Sequence, residues 1–410
     1  MERRVRNLAI LAAVSVLFLM LLLVGYANKQ GKKKTPAPTG TGETSVADPY
    51  RAFLNDPHFF DGDEEIVEAP TTTVAEEKPR LNMLLGSVAR DIRVSVVDAE
   101  GRPVRGKAFY VQVDPLGEYK DLDQDGQIYI PDVEPGEYFV KLKRVEGYEC
   151  PTDPMPVSVK AELEFKPIGD IAVYIRSEEE VDPAAEDLRQ SSAAQDADET
   201  EQSGKRTDEG TVLGIDVSSA QMEIDWQAVK ADGVEFVILR CGYRGCSQGY
   251  LVEDRCFKSN IEGAKKAGLG VGVYFFSQAT NPTEAVEEAS AALELCRGYK
   301  LEYPVFIAVE GAEGKGRADA MDPRERTDVV KAFCETVESA GLNAGVYAGR
   351  VWFNEKLIDG ELTDYVHWLA EYRDKPLYTG NYSLWQYSSR GSVKGVLSRV
   401  NMNILRDVGR

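Results

Sequence analysis

From about Val88 the apolar residues fall on every second position: Ile92, Val94 and Val96 alternate with Asp91, Arg93 and Ser95. Further alternating runs occupy Phe109 to Val113, Gln127 to Ile130 and Tyr138 to Leu142, punctuated by the turn pairs Glu100-Gly101, Asp125-Gly126 and Pro135-Gly136. Period two with such turns predicts a small all-β sandwich over residues 86–176. After residue 211 the pattern changes to apolar runs of strand length at Val212 to Val217, Phe236 to Leu239, Val271 to Phe276, Val305 to Val309, Ala344 to Tyr347 and Leu384 to Tyr387. Between several of them lie helical patterns. Ile261 to Ala267 stops at Gly268, Pro282 to Leu295 follows Asn281 as a cap, and Asp322-Pro323 opens a helix that ends near Gly341. Strand and helix in alternation predict an α/β fold, either a barrel or a doubly wound sheet, and about 200 residues is short for a full barrel, which predicts an incomplete ring.

The remaining segments connect these two modules. Leu8 to Ala27 carries no charge across 20 residues, enough at about 1.5 Å per helical residue to span a hydrocarbon core of roughly 30 Å. It reads as a transmembrane anchor behind a cytoplasmic tail of residues 1–7, rather than as a cleaved signal peptide, whose apolar core usually runs about 7 to 15 residues. Residues 28–85, rich in Pro, Thr, Gly and charge, read as a flexible spacer. Residues 177–210 carry 12 acids against 3 bases and almost no large apolar side chain, the composition of a self-repelling linker.

The chain has 410 residues and a net charge of −20, of which −5 falls on residues 211–410 and −15 on the rest. No basic face argues for nucleic acid. Six cysteines at this length do not form a disulfide framework, and five of them (Cys241, Cys246, Cys256, Cys296, Cys334) fall in the last domain, where Cys246 and Cys256 are spaced for a bridge. They read as buried or free thiols, and neither they nor His58 and His367 show metal-site spacing. Asp121, Asp123, Asp125, Gly126 and Asp132 mimic a calcium loop, but strand-like flanks and Pro131 replace the two helices such a loop needs. The stretch reads as an acidic hairpin turn, and no metal or cofactor is expected.

Two resemblances add to this reading. The stretch DLDQDGQIYIPDVEPGEYFVKL resembles the closing strands of prealbumin-like or Cna protein B-type modules of bacterial surface proteins. GIDVSSAQMEIDW (Gly214 to Trp226), RCGYRG (Arg240 to Gly245), GVGVYFFSQA (Gly270 to Ala279), YPVFIAVE (Tyr303 to Glu310) and LWQYSSRGSVKGV (Leu384 to Val396) resemble, in order, five blocks of the glycoside hydrolase family 25 lysozymes. This resemblance implies a (β/α) barrel-like fold that cleaves the β-1,4 bond between N-acetylmuramic acid and N-acetylglucosamine in peptidoglycan. It also implies a bacterial membrane protein with its carboxy-terminal domains outside, facing the wall, because the charges flanking the anchor do not themselves fix its orientation.

Working groups of such barrels sit at the carboxyl ends of strands, where Asp216, Glu310 and Asn401 lie. Glu310, closing the apolar run PVFIAV, is the expected acid for the leaving oxygen, and Asp216 the second catalytic carboxylate. The resemblance makes Tyr274, Tyr347 and Trp385 sugar-facing aromatics and leaves Trp368 in the core. The family's other carboxylate stands two residues before the acid, where this chain has Ala308, and the family's Val-Asp-x-Asn reads Val400-Asn401-Met402-Asn403 here. Two of four expected carboxylates are therefore absent. Three functions follow: a membrane-tethered muramidase, a pseudoenzyme that keeps the glycan groove as a peptidoglycan-binding module, and, ranked last, a structural surface protein whose barrel is only a spacer.

Overall fold

The computed structural model describes residues 78–181, 204–206, 210–312 and 314–406. The expected anchor at 8–27, most of the spacer, most of the acidic linker, His58 and Glu313 lie outside these residues. Among the described residues no helix is long and apolar enough to cross a membrane.

The front module is built from β1 (Asn82–Gly86), β2 (Ile92–Val97), β3 (Tyr110–Asp114), β4 (Gly117–Lys120), β5 (Gln127–Ile130), β6 (Gly136–Leu142) and β7 (Met155–Val159). They form two antiparallel sheets, ordered β1-β2-β5 and β4-β3-β6-β7. Alternate residues of both sheets, among them Val94, Val96, Val111, Val113, Tyr138 and Val140, share one core, as period-two patterning requires. Leu81 and Met83 are buried in that core, so the module starts upstream of the expected boundary at residue 86. At the β5 turn Gly126 has φ +85°, and a Cβ there would lie 2.6 Å from the Val104 carbonyl oxygen, which is why glycine holds the position.

One strand departs from the pattern. A half-polar strand ordinarily turns its polar face to water, yet all six residues of β2 are buried, and Asp91 before it as well. That face docks on the second module. Behind the sandwich, a short 3-10 turn (Ile171–Tyr174) leads into β8 (Ile175–Arg176), which pairs in parallel with β11 (Leu251–Glu253), an antiparallel neighbour of β10 (Phe236–Arg244). The chain thus joins the second module's sheet before the acidic segment begins, and the expected separation by a linker at 177 gives way to direct contact.

The second module is a closed barrel. Its ring runs β9 (Thr211–Val217), β10, β12 (Gly270–Phe276), β13 (Val305–Ala308), β14 (Ala344–Gly349), β15 (Val366–Ala370), β16 (Leu384–Gly391) and β17 (Val400–Arg406), which returns to β9. All neighbours are parallel except β17, which is antiparallel to both β16 and β9. The ring is complete, against the expectation from length. It fits into so few residues because the last strands are linked by short irregular segments and a hairpin, and the described α-helices of the barrel are only α1 (Trp226–Ala231), α2 (Phe257–Lys266), α3 (Pro282–Leu295) and α4 (Pro323–Ser339), with a single π-helical turn at Trp352–Lys356.

The helix starts behave as their sequences dictate. Asn281 Oδ1 accepts the Glu284 amide at 3.0 Å, and Asp322 and Glu325 form a reciprocal capping box around Pro323. One parity of the strands (Val237, Leu239, Val271, Ile307, Leu369) packs against the helices. The other (Phe236, Ile238, Phe306, Tyr347, Trp368, Leu384) fills the lumen. Gly214 makes room for that filling, since a Cβ there would lie 2.2 Å from the Phe236 ring.

Charge joins the modules. Arg93 of β2 pairs with Asp91 and with Glu287 of α3, both at 2.6 Å. Arg244 at the end of β10 pairs with the same Glu287 at 2.7 Å and with Glu288 at 2.9 Å. Arg176 pairs with Asp125 at 2.6 Å, and the Ile168 amide donates to Ser290 Oγ of α3 at 3.0 Å. Breaking such a buried network from one side strands the opposite charges. Arg93→Ala is expected to lower stability by roughly 3 kcal/mol, read by calorimetry. An unchanged melting temperature would show that the docking does not depend on this chain of ions.

Candidate active site

Asp216 points from β9 into the lumen and is only 2% exposed. Its Oδ2 accepts Gln386 Nε2 and Asn403 Nδ2, both at 2.7 Å, and its Oδ1 accepts Asn401 Nδ2 at 2.9 Å. The strand register produces this arrangement, since Asn401 stands directly opposite Asp216 and Gln386 opposite Asn403. The amides are themselves oriented. Gln386 Oε1 accepts the Tyr347 hydroxyl at 3.0 Å and the Tyr372 hydroxyl at 2.7 Å, and Asn403 Oδ1 accepts Trp368 Nε1 at 2.8 Å. With their carbonyl ends occupied, both turn their NH₂ groups to the carboxylate. Burial pushes the Asp216 pKa up, and the three amides oppose that rise.

Glu310 follows β13 at the carboxyl end of the strand and is 3% exposed. Burial raises the phenol pKa of both Tyr274 and Tyr347, and the charges of Glu310 and Asp216 add to the rise in each. These two lumen tyrosines therefore lie within the electrostatic reach of both carboxylates. Ala308 sits two residues before Glu310, fully buried in the lumen, with its methyl group at the position expected to carry a carboxylate. Asp319, in the loop after Glu310, spends its carboxylate on the amides of Ala312 at 3.0 Å and Gly316 at 3.2 Å, pinning that loop.

Asp216, Glu310, Ala308, Asn401, Tyr274 and Tyr347 thus come together on the inward face. Trp385 does not. Leu384 and Gln386 take the inward parity of β16, so Trp385 between them turns outward, where its Nε1 donates to the Glu371 carbonyl at 2.8 Å and Arg206 lies 5.0 Å over its ring. Its assignment as a sugar-facing aromatic is corrected to outer core. Trp368 belongs to the lumen floor, edge-on to Tyr347 at 4.5 Å and Phe306 at 5.2 Å. Gln386, Asn403 and Tyr372 are the site residues that sequence reasoning passed over. The signal was available in part, because Gln386 is the polar residue inside the apolar run Leu384 to Tyr387.

The cysteines are free thiols, Cys246 and Cys256 included. Among the described residues, one group has metal-binding spacing, Asp121 with Asp123 and Asp125. It lies on the hairpin turn of the front module that leads into β5. Asp121 accepts the amides of Gln124 and Gly126 there, burial pushes its pKa up to about 6, and Asp125 is held by Arg176.

The Asp216 network makes a testable demand on position 401. Asn401→Asp replaces a donor by a second carboxylate, which raises the folded-state pKa of the pair above its unfolded value. The folded state then holds a proton that the unfolded chain releases, so stability falls as pH rises through the acid range. The variant is expected to match the parent near pH 4 and to be roughly 2 kcal/mol less stable at pH 7, measured by denaturant titration. A pH-independent difference would contradict the assignment of Asn401 as a donor to an ionised Asp216.

Residues 215–396 match the model of the glycosyl hydrolases family 25. Over 191 residues the chain is 30% identical to an autolytic lysozyme of Clostridium acetobutylicum, covering 46% of this chain and 54% of that protein. Over 198 residues it is 30% identical to the uncharacterized protein YegX of Escherichia coli O157:H7, covering 47% of this chain and 69% of that one. Among solved structures, the modular autolysin LytC of Streptococcus pneumoniae aligns with 28% identity over 48% of this chain and 47% of its own, with a TM-score of 0.43. The chain spans about half the length of the autolytic lysozyme it matches. By these sequence matches, the chain belongs to the glycosyl hydrolases family 25.

Proposed function

We propose that this protein is a peptidoglycan-directed muramidase of reduced turnover, cleaving the β-1,4 bond between N-acetylmuramic acid and N-acetylglucosamine. One observation carries this reading: Glu310 and Asp216 are both buried at the carboxyl ends of strands of one barrel, β13 and β9. Glycoside cleavage requires a proton for the leaving oxygen and negative charge near the developing oxocarbenium ion. Glu310 supplies the proton and Asp216, held by three amides, is the fixed anion. The substrate's own acetamido group attacks the anomeric carbon. Ala308 leaves that group without the neighbouring carboxylate that would orient it, which is the source of the reduced rate.

Ala308 also favours a second reading, a pseudoenzyme that holds glycan strands without cutting them. In either case the uncharged run at 8–27 tethers the protein to the bacterial membrane with its folded modules on the wall side. The two-sheet front module serves there as a prealbumin-like or Cna protein B-type surface module. Support for the wall assignment comes from the autolytic function in the relative's name.

The full chain is expected to release new reducing ends from purified peptidoglycan, and Glu310→Gln to abolish the release. Ala308→Asp combined with Asn401→Asp is expected to raise the rate by roughly 10²- to 10³-fold. A silent parent rescued by the double substitution would establish the binding reading. Silence from both proteins would overturn the muramidase assignment.

A further inference from the structure

A cleft of about 570 Å³ lies between the front module and the barrel, within the size range of small-ligand sites. Its module wall carries Gln127 and Tyr129 of β5, and its barrel wall carries Gln248, Asn281 and Thr283. Gln248 belongs to the loop that leaves β10, and Asn281 and Thr283 to the junction between β12 and α3. Both loops stand at strand carboxyl ends, the end of the barrel that also carries Glu310. The loop after Glu310 borders the same region, because its Arg317 binds Glu284, a further lining residue, at 2.7 Å. A Cβ added at Gly249 of the cleft would lie 2.8 Å from that guanidinium.

The lining selects a chemical class. Each of its charged side chains is already matched: Glu284 by Arg317, Glu287 by Arg93 and Arg244, and Arg93 also by Asp91. Beyond these pairs the lining is side-chain amide, hydroxyl and aromatic, with Gln127 Nε2 donating to the Val173 carbonyl at 3.2 Å and Asn281 Oδ1 capping α3, which leaves the Gln127 amide oxygen and the Asn281 NH₂ group as the polar ends on the two walls. Tyr129 is 59% exposed on an edge strand whose neighbours Ile128 and Ile130 point into the core, and Arg93 lies 5.3 Å from the centre of its ring. Amides complement acetamido and hydroxyl groups, and a tyrosine face offers an apolar platform with a polar edge. An ionic ligand would have to compete with pairs that are already satisfied.

We propose that this cleft is a second glycan-binding site, built jointly by the two modules, which takes an uncharged N-acetylglucosamine unit of the strand whose scissile bond lies in the barrel mouth. The proposal rests on the peptidoglycan reading above and adds the front module to the recognition surface. It gives the docking of the modules a use: the rigid interface sets the second site at a fixed distance from Glu310.

The test uses the full chain with Glu310→Gln, so that strands are bound and not cut. The probes are peptide-free glycan strands prepared by amidase treatment of peptidoglycan and, separately, the released stem peptides. Tyr129→Ala is expected to weaken strand binding roughly tenfold. Thr283→Trp, which fills the cleft from the opposite wall, is expected to do the same, both with the melting temperature of the parent. Equal strand affinity in all three proteins would overturn the second site and leave the barrel-mouth reading standing. Failure of the parent to bind strands would overturn both. Stem peptides that bind the parent and lose affinity in Tyr129→Ala would identify a peptide site and overturn the glycan assignment.

Discussion

A carboxylate removed from water at the seam of a barrel must be solvated by the protein, and Asp216 sets that requirement here. Its three amide donors come from β16 and β17, so the ion is satisfied in one register of the closing strands. A slip of one residue would turn Asn401 and Asn403 outward and put apolar groups against the charge. The same amides hold Tyr347, Tyr372 and Trp368. Lumen packing, seam register and the electrostatics of the mouth are therefore one constraint seen from three sides. Asn401 belongs to that constraint as a donor, which explains how the chain lacks a carboxylate at this position without leaving a gap in the network.

The parts of the barrel that were legible in the sequence are those where both strand faces are apolar. A strand packed between lumen and helices reads as a continuous apolar run, and β9, β10, β12, β13, β14 and β16 all did so. Caps such as Asn281 and Asp322 announce themselves because their side chains answer unpaired amides. β17 escaped notice because its inward positions are Asn401 and Asn403, polar for the sake of Asp216. β15 escaped because His367 interrupts its apolar run. The outward turn of Trp385 was not legible either. Alternation divides a strand into two faces but does not say which one meets the lumen, and the lumen here takes the polar Gln386 while the aromatic goes to the outer core.

The same ambiguity hid the interface. Asp91, Arg93 and Ser95 have the polarity of a wet face, yet all three are buried, and Arg93 pairs with Glu287 of α3. Period-two patterning separates apolar from polar positions and cannot distinguish water from a complementary charged surface. A chain of buried ions contributes little net stability compared with apolar packing, because desolvation offsets most of the attraction. Its geometry is nonetheless restrictive. Arg93 and Arg244 converge on one carboxylate, Glu287, and few relative placements of two rigid modules allow this. The ions therefore specify how the sandwich sits on the barrel more than how tightly it does so.

The antiparallel β17 has a consequence for how such a domain travels between proteins. Thr211 at the start of β9 and Arg406 at the end of β17 are paired neighbours, so the barrel's polypeptide enters and leaves side by side, on the rim opposite Glu310. Modules with adjacent ends tolerate insertion and recombination well. Partners attached through either end start from the back of the barrel, at the rim opposite Glu310. A barrel of this kind behaves as an interchangeable cartridge, and this chain has supplemented its fusion point with a second fastening along α3.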